Sequence, residues 1–456
     1  MLVWPSNCQV QNGDKLKYHR EWKGVRKIMA KKRKDINEMD ENQIADYIHA
    51  LNVLRSRSEQ NPDDESGYDF QAALHNDPMI GPCEHGSDLF LPWHRSHLHY
   101  FEKLLQEADP PRTANVTIPY WDWIHQETSS KFPAAFEKPG LFMSGRNNNP
   151  VELPQDTLQI VTTETNWNEF GGFPQGQTRN YGKLEIGPHN SMHANYIGGK
   201  MADPLTAAED PIYWSFHAFI DLLWAEWQRR NNMPSPTSPE ADLRGFLSKP
   251  NHKVKDFQKT TDLDYEYEYT DKLNQAFAVS TPENIQRELL ETKSLQPLFS
   301  NDLDLELSKK SRAQYAFPVV QTTSVTTIVR LQDLKVPITG SYLLRAYCHP
   351  KEVPFNKDNL DFKTQYGAGY IALWKSHGAD HHHGDHHGSP HHPTSCVVGF
   401  DVSKQVKDFS SDNISNLVLT LHYIPSPGPT GEPQENPNLV KEVQIEDLLL
   451  EVYSNS

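Results

Sequence analysis

The strongest constraint on the fold is a change of hydrophobic rhythm along the chain. From about residue 20 to 230, apolar residues recur at helical spacing. In DENQIADYIHALNVLRSR (40–57), Ile44, Tyr47, Ile48, Leu51 and Leu54 fall on one helical face, and Asp40 is placed to cap the N-terminus. The stretch 92–106 repeats the pattern, with Leu98, Phe101 and Leu105 on the face of His94 and Pro92 in the first turn. A third helix is predicted over DPIYWSFHAFIDLLWAEWQRR (210–230), opened by Pro211. Between 130 and 185 the chain is rich in Gly, Asn and Pro, which predicts long loops over a helical core.

After about residue 310 the rhythm becomes short and β-rich. VVQTTSVTTIVRL, GSYLLRAYCH, AGYIALW, CVVGFDVS, NLVLTLHYI and EVQIEDLLLEVY are separated by turn residues. The fold class predicted is a mainly α helical-bundle domain over 1–230, followed by an all-β, sandwich-like C-terminal domain over 306–456. The polar segment 231–305 between them is read as a connector with short helices, one of them over 282–293. Two irregular insertions interrupt the β region: SHGADHHHGDHHGSPHH (376–392) and PSPGPTGEPQENPN (425–438).

The balance of 44 basic against 60 acidic residues, a net charge of −16, argues against a nucleic-acid or anionic-membrane partner. No apolar run reaches the roughly 18–20 residues that a bilayer span needs. The start, MLVWPSNCQV, lacks a basic region followed by an apolar stretch, so the expectation is a soluble, cytoplasmic protein, with export by other routes left open. Cys8, Cys83, Cys348 and Cys396 are too few for a disulfide scaffold in a chain of 456 residues. Self-association stays open.

Histidine is the outlier, with 22 residues concentrated near 75–99, 189–217 and 377–392. His75 closes a short helical run, His85 lies on a loop and His94 opens the next helix. His189 and His193, four apart, share one helical face, and His217 lies inside the third helix among Tyr213, Phe216, Phe219 and Ile220. Each alone is compatible with a satisfied core residue. Together they make two groups of three imidazoles without acidic ligands, which suits copper, zinc or iron in a paired site between facing helices. The chain has neither an HExxH helix nor a carboxylate in the pattern of a mononuclear zinc hydrolase.

HGSDLFLPWHRSHLHYFEKLL resembles the copper A motif of type 3 copper proteins, the family of tyrosinases, catechol oxidases, other polyphenol oxidases and haemocyanins. GPHNSMH…GGKMADPLTAAEDPIYWSFHAFIDLLWAEWQ resembles the copper B motif, and IPYWDW (118–123) between them is also a hallmark. The resemblance spans roughly residues 18–230. It implies a dicopper centre in the helical domain, with His75, His85 and His94 on copper A and His189, His193 and His217 on copper B. It further implies oxidation of o-diphenols, and hydroxylation of monophenols, to o-quinones by O2, the copper pair carrying the redox work while the protein positions a small phenolic substrate. Reversible O2 carriage of the haemocyanin kind, a preference for o-aminophenols, and copper handling are the alternatives.

Cys83, two residues before His85, is either a small buried residue or, as the resemblance implies, a thioether partner of the His85 ring. Glu185 and Asn190 match the pair that holds a water for phenol deprotonation in hydroxylating members; the plain alternative is that Glu185 is structural and Asn190 shapes its helix. One departure is Phe219, which replaces a polar residue after the third copper B histidine, beside Phe216 where a second histidine is common. The β-rich region resembles the C-terminal domain of latent polyphenol oxidases, with Phe400-Asp401-Val402 in the corresponding strand, and so implies latency until that domain is displaced. His377, His381, His382, His383, His386, His387, His391 and His392 crowd one insertion that suggests auxiliary copper binding.

Overall fold

The protein is described from a computed structural model, in residues 30–75, 83–126, 131–148, 153–154, 156–174, 179–232, 239–243, 252–278, 287–295, 312–317, 325–335, 342–356, 359–373, 395–411, 417–425 and 447–455. Helices dominate as far as Asn231 and strands thereafter, as the change of rhythm predicts. The helical half opens with β1 (Lys31–Arg33), then α1 (Glu41–Gln60), α2 (Tyr68–Ala73), α3 (Phe90–Gln106), α4 (Pro110–Thr113), α5 (Thr157–Thr163), α6 (Trp167–Gly171), β2 (Arg179–Asn180) and α7 (Ile212–Asn231). Next come β3 (Tyr265–Tyr267), α8 (Asp271–Phe277), β4 (Arg287–Ser294), β5 (Arg312–Phe317), β6 (Val325–Lys335) and β7 (Tyr342–Pro350). The chain ends with α9 (Leu360–Tyr366), β8 (Gly367–Leu373), β9 (Ser395–Asp401), α10 (Ser403–Ser411), β10 (Leu417–Pro425) and β11 (Asp447–Asn455).

Local chemistry explains the helices that matter. Asp40 caps α1 by accepting from the backbone N–H groups of Asn42 and Gln43, and the Gln43 side chain accepts from Asp40 N–H. Ile44, Tyr47, Leu51 and Leu54 then face inward. The helix α7 is buried on nearly all sides, so it forms the axis of the helical core rather than a surface element. It ends where Asn232 takes a left-handed conformation at φ 46°.

Two sheets make the C-terminal half, in the orders β5-β10-β7-β8 and β2-β9-β6-β11-β4. Each of the six β-rich runs of the sequence contains a strand among its described residues, β6 to β11 in order. The helix predicted over 282–293 is a correction: Arg287–Ser294 is strand β4, antiparallel to β11 with Leu449 opposite Ser294. RELLETKS has good helix formers, but an open strand edge satisfies its backbone, and that pairing outweighs local propensity. The polar segment before it is also tied into the helical half. There β3 pairs with β1, and the Tyr265 and Tyr267 hydroxyls donate to the buried carboxylate of Asp221 on α7. Arg95 and Arg33 pair with the same carboxylate. The insertion 376–392 and residues 426–438 of the second insertion lie outside the described residues.

The two halves meet at the segment that carries His189. Ile186 belongs to the apolar core of the sheets, not to that of the helices. The short strand β2 joins β9 in parallel, with Arg179 opposite Cys396 and Asn180 opposite Val397.

Candidate metal centre

The structure brings the six predicted histidines into one cluster. His75 follows α2, His85 stands on the loop before α3, and His94 is in the first turns of α3. His189 and His193 lie on two π-helical turns, Glu185–His189 and Met192–Ile197, and His217 is in the middle of α7. The rings of His75, His85 and His94 have centroids 5.3–5.7 Å apart. Those of His189, His193 and His217 are 4.5–5.2 Å apart. The two trios abut, with His94 stacked on His217 at 4.6 Å. The nitrogens of His189, His193 and His217 lie within 4.8 Å of one another, a spacing one ion could bridge. His75, His85 and His94 do not form such a triplet by themselves; they share triplets with His217, His189 and Cys83.

Five of the rings are oriented by an oxygen at Nδ1. The Nδ1–H groups donate to Pro204 O from His75, Phe90 O from His94, Met201 O from His193 and Tyr213 O from His217, at 2.8–3.0 Å. His189 donates to Asn190 Oδ1 at 2.8 Å. An acceptor at Nδ1 fixes the proton there and leaves Nε2 as a lone-pair donor turned inward, the tautomer a metal requires. The consequence is plainest for His189 and His217, whose Nε2 atoms face one another at 3.1 Å. With both protons held at Nδ1, neither Nε2 can donate to the other, and a cation shared by the two rings suits the pair. The Nε2 of His94 is buried without a hydrogen-bond partner among the described residues.

Burial keeps four of these rings neutral. It pushes His189 down to about 3 and holds His94, His193 and His217 well below the ordinary imidazole range, neighbouring imidazoles adding to the effect. Neutral imidazole is the ligating form, and three per ion without a carboxylate suits copper. His85 differs from the others in being partly exposed. Its Nδ1 lies 3.1 Å from Cys83 Sγ and its Nε2 4.0 Å, so the sulfur stands beside the ring on its Nδ1 side.

Aromatic walls close the cluster. Phe90 lies 4.7 Å from both His94 and His189, and Phe216 stacks on His189 at 5.6 Å while meeting His193 edge-on at 4.9 Å. Phe219 points away, edge-on to Trp123 at 4.5 Å. The polar position that it replaces is thus absorbed into aromatic packing.

Glu185 is fully buried, and both its oxygens accept from Gly86 N–H, at 2.9 and 3.1 Å. It therefore ties the His85 loop to the turn that bears His189. Backbone bonds extend this tie, with Asn180 N–H donating to Gly86 O and Asp88 N–H to Phe173 O. Gly172, at φ +114°, makes the packing possible, since a Cβ there would lie 2.5 Å from Ser87 O.

Three contacts near the cluster have no counterpart in the sequence reading. His97 is buried and held down to about 3 by burial; its Nε2–H donates to Gln71 O and its Nδ1 accepts from Tyr213 OH. The Tyr213 ring lies 4.0 Å from His217 and 4.9 Å from His75. Asn190 Nδ2–H donates to Ala372 O of β8 at 2.9 Å. The cluster HRSH hints at the first, but a contact to a backbone carbonyl across 182 positions leaves no trace in a single sequence.

A helical core holding six imidazoles as two facing trios defines a type 3 copper scaffold. The chain belongs to the tyrosinase family: the common central domain of tyrosinase matches residues 65–156 and 141–230. A tyrosinase of Streptomyces glaucescens is 32% identical over 211 residues, which cover 36% of this chain and 73% of that one. A tyrosinase of Hahella sp. is 28% identical over 297 residues, 52% of this chain, and the match spans 63% of that relative's length. The fold extends further. A latent aurone synthase, a polyphenol oxidase, superposes with a TM-score of 0.64 at 15% identity, covering 94% of this chain and 90% of that chain. Members of this family hold two copper ions, and the donor set here fits them.

Proposed function

We propose that this chain is a dicopper oxidase that uses O2 to oxidise o-diphenols, and to hydroxylate monophenols, to o-quinones. His75, His85 and His94 would hold one copper and His189, His193 and His217 the other. The observation that carries the reading is the outward anchoring of five Nδ1–H groups, which turns five Nε2 lone pairs onto one small volume.

Bound there, the copper pair supplies the two-electron redox chemistry with O2 that no side chain provides. Two o-diphenols and one O2 give two o-quinones and two waters; one monophenol and one O2 give one o-quinone and one water. The chain's own residues position and exclude. Phe90 and Phe216 line the rings with apolar surface against which a phenol ring packs. The partial exposure of His85 supports substrate approach from its side. Glu185 keeps the His85 loop in register, and a carboxylate has lone pairs for more than one donor, so a water taking the phenol proton beside Glu185 and Asn190 belongs to this proposal. Cys83 beside the His85 ring supports a thioether that locks its orientation.

The contact of β8 with the turn bearing His189 supports seating of the C-terminal sheets over the site, and hence latency of the full chain. The histidines of 377–392 would collect copper. Assaying copper-loaded protein with a monophenol and its o-diphenol, before and after limited proteolysis, tests the reading. Quinone from the diphenol, more of it after cleavage, is expected; O2 bound reversibly with no quinone in any state would replace the oxidase with a carrier.

A further inference from the structure

The Asn190 side chain is held at both ends. Its Oδ1 accepts from His189 Nδ1–H at 2.8 Å, and its Nδ2–H donates to the carbonyl of Ala372 at 2.9 Å. Turning the amide over would set N–H against N–H and carbonyl against carbonyl, losing both bonds, so the Ala372 carbonyl decides which face Asn190 shows His189. That face decides in turn which His189 nitrogen carries the proton and which faces His217.

A strand of the C-terminal sheets therefore reaches a ring of the metal centre through one side chain. A second tie holds the same strand nearby, where Tyr370 OH donates to the half-buried carboxylate of Asp156 at 3.0 Å. Another links the neighbouring strand β9 to the other trio. It runs through β2 to Asn180, whose N–H donates to Gly86 O, one residue after His85.

We propose that Ala372 is a positioning residue of the dicopper centre: its carbonyl fixes the orientation of His189 through Asn190, so copper occupancy and the seating of β8 stabilise each other. This rests on the dicopper reading of the six histidines and is distinct from the sheets acting as a steric cover. The coupling is reciprocal by thermodynamic necessity. If seated β8 raises copper affinity by some factor, copper raises the seating equilibrium of β8 by the same factor, which for linked sites is typically 5- to 150-fold.

The test is amide hydrogen exchange of the full chain, metal-free and copper-loaded. Copper loading is expected to slow exchange in α3 and α7, which carry His94 and His217, and also in β8, by roughly 5- to 150-fold where β8 opens by unseating. In Asn190→Ala, α3 and α7 should still gain protection on loading while β8 gains none. Should that variant fail to fold, Asn190→Asp keeps the acceptor for His189, replaces the donor to Ala372 by a charged oxygen that repels its carbonyl, and is likewise expected to leave β8 without a gain. Protection of α3 and α7 with β8 unchanged in the wild-type chain would overturn this inference and leave the dicopper reading standing. No change in any of the three would overturn the dicopper reading, and this inference with it.

Discussion

His189 and His217 present their Nε2 lone pairs to each other at 3.1 Å, each ring fixed in that tautomer by an oxygen at its other nitrogen, Asn190 Oδ1 for one and Tyr213 O for the other. Such an arrangement is costly in an apolar core unless a cation lies between the rings. Substituting His217→Ala is expected to lower copper from two ions to one per chain, measured by elemental analysis of the purified protein. Retention of both ions would remove His217 from the ligand set.

Asn190 touches the histidine cluster through His189, from whose Nδ1–H it accepts. Its replacement by alanine should weaken copper binding by roughly 10- to 100-fold, the usual effect of losing the group that orients a ligand ring. Competition with a chelator of known affinity reads this directly. An unchanged affinity would mean that His189 holds its orientation without the amide.

Much of the site is legible in the sequence. His85, His94, His189, His193 and His217 are legible because ligand chemistry requires their spacing on and before helices, and the flanking motifs repeat it. His75 is less so, since its own helix is only Tyr68–Ala73. Glu185 was legible as a candidate, but its partner, the backbone N–H of Gly86 99 residues away, was not. Backbone partners have no residue type to read. The same holds for Ala372, and for β4, whose strand conformation is set by the edge of β11 rather than by its own residues.

Cys83 offers a covalent test. Joining its sulfur to a carbon of the His85 ring is a two-electron oxidation in which O2 takes up a thiol hydrogen and a ring hydrogen, so mature protein should be lighter by about two mass units than the same chain before copper loading. Cys83→Ser should show no such difference. Equal masses for the mature and unloaded wild-type chain would leave Cys83 as a buried thiol.

The buried histidines set the acid limit of the metal-free chain. His97 and His189 are held down to about 3 when folded, against an ordinary value of 6.5, because burial penalises the imidazolium. Between those values the unfolded chain takes up protons that the folded chain refuses, so stability is full above about pH 6.5 and falls as pH drops towards 3. Denaturant midpoints of metal-free protein should decline across that window. A flat profile there would contradict the neutral, buried state of these rings.

Asp221 anchors the rear of the core. It pairs with Arg95 and Arg33 and accepts from the hydroxyls of Tyr265 and Tyr267, all of them buried around α7 except the half-buried Tyr267. Asp221→Ala would leave two guanidinium groups without their common carboxylate and should cost about 3–5 kcal/mol. Equilibrium unfolding in urea measures it, and a loss below about 1 kcal/mol would mean that Glu102, which also pairs with Arg33, suffices.

The histidine-rich insertion is tested by deletion. A chain lacking 377–392 should carry less copper than the full chain when expressed in limiting copper, and the same amount when copper is in excess. Unchanged occupancy in limiting copper would sink the loading role.

The central claim is that the six histidines make a working oxidase, and O2 consumption measures it most directly. Copper-loaded protein, opened by limited proteolysis, is given an o-diphenol while O2 uptake and quinone formation are followed together. Two quinones per O2, with both signals lost in His217→Ala, is the expected result. O2 bound and released without quinone, or turnover that persists in His217→Ala, would contradict it.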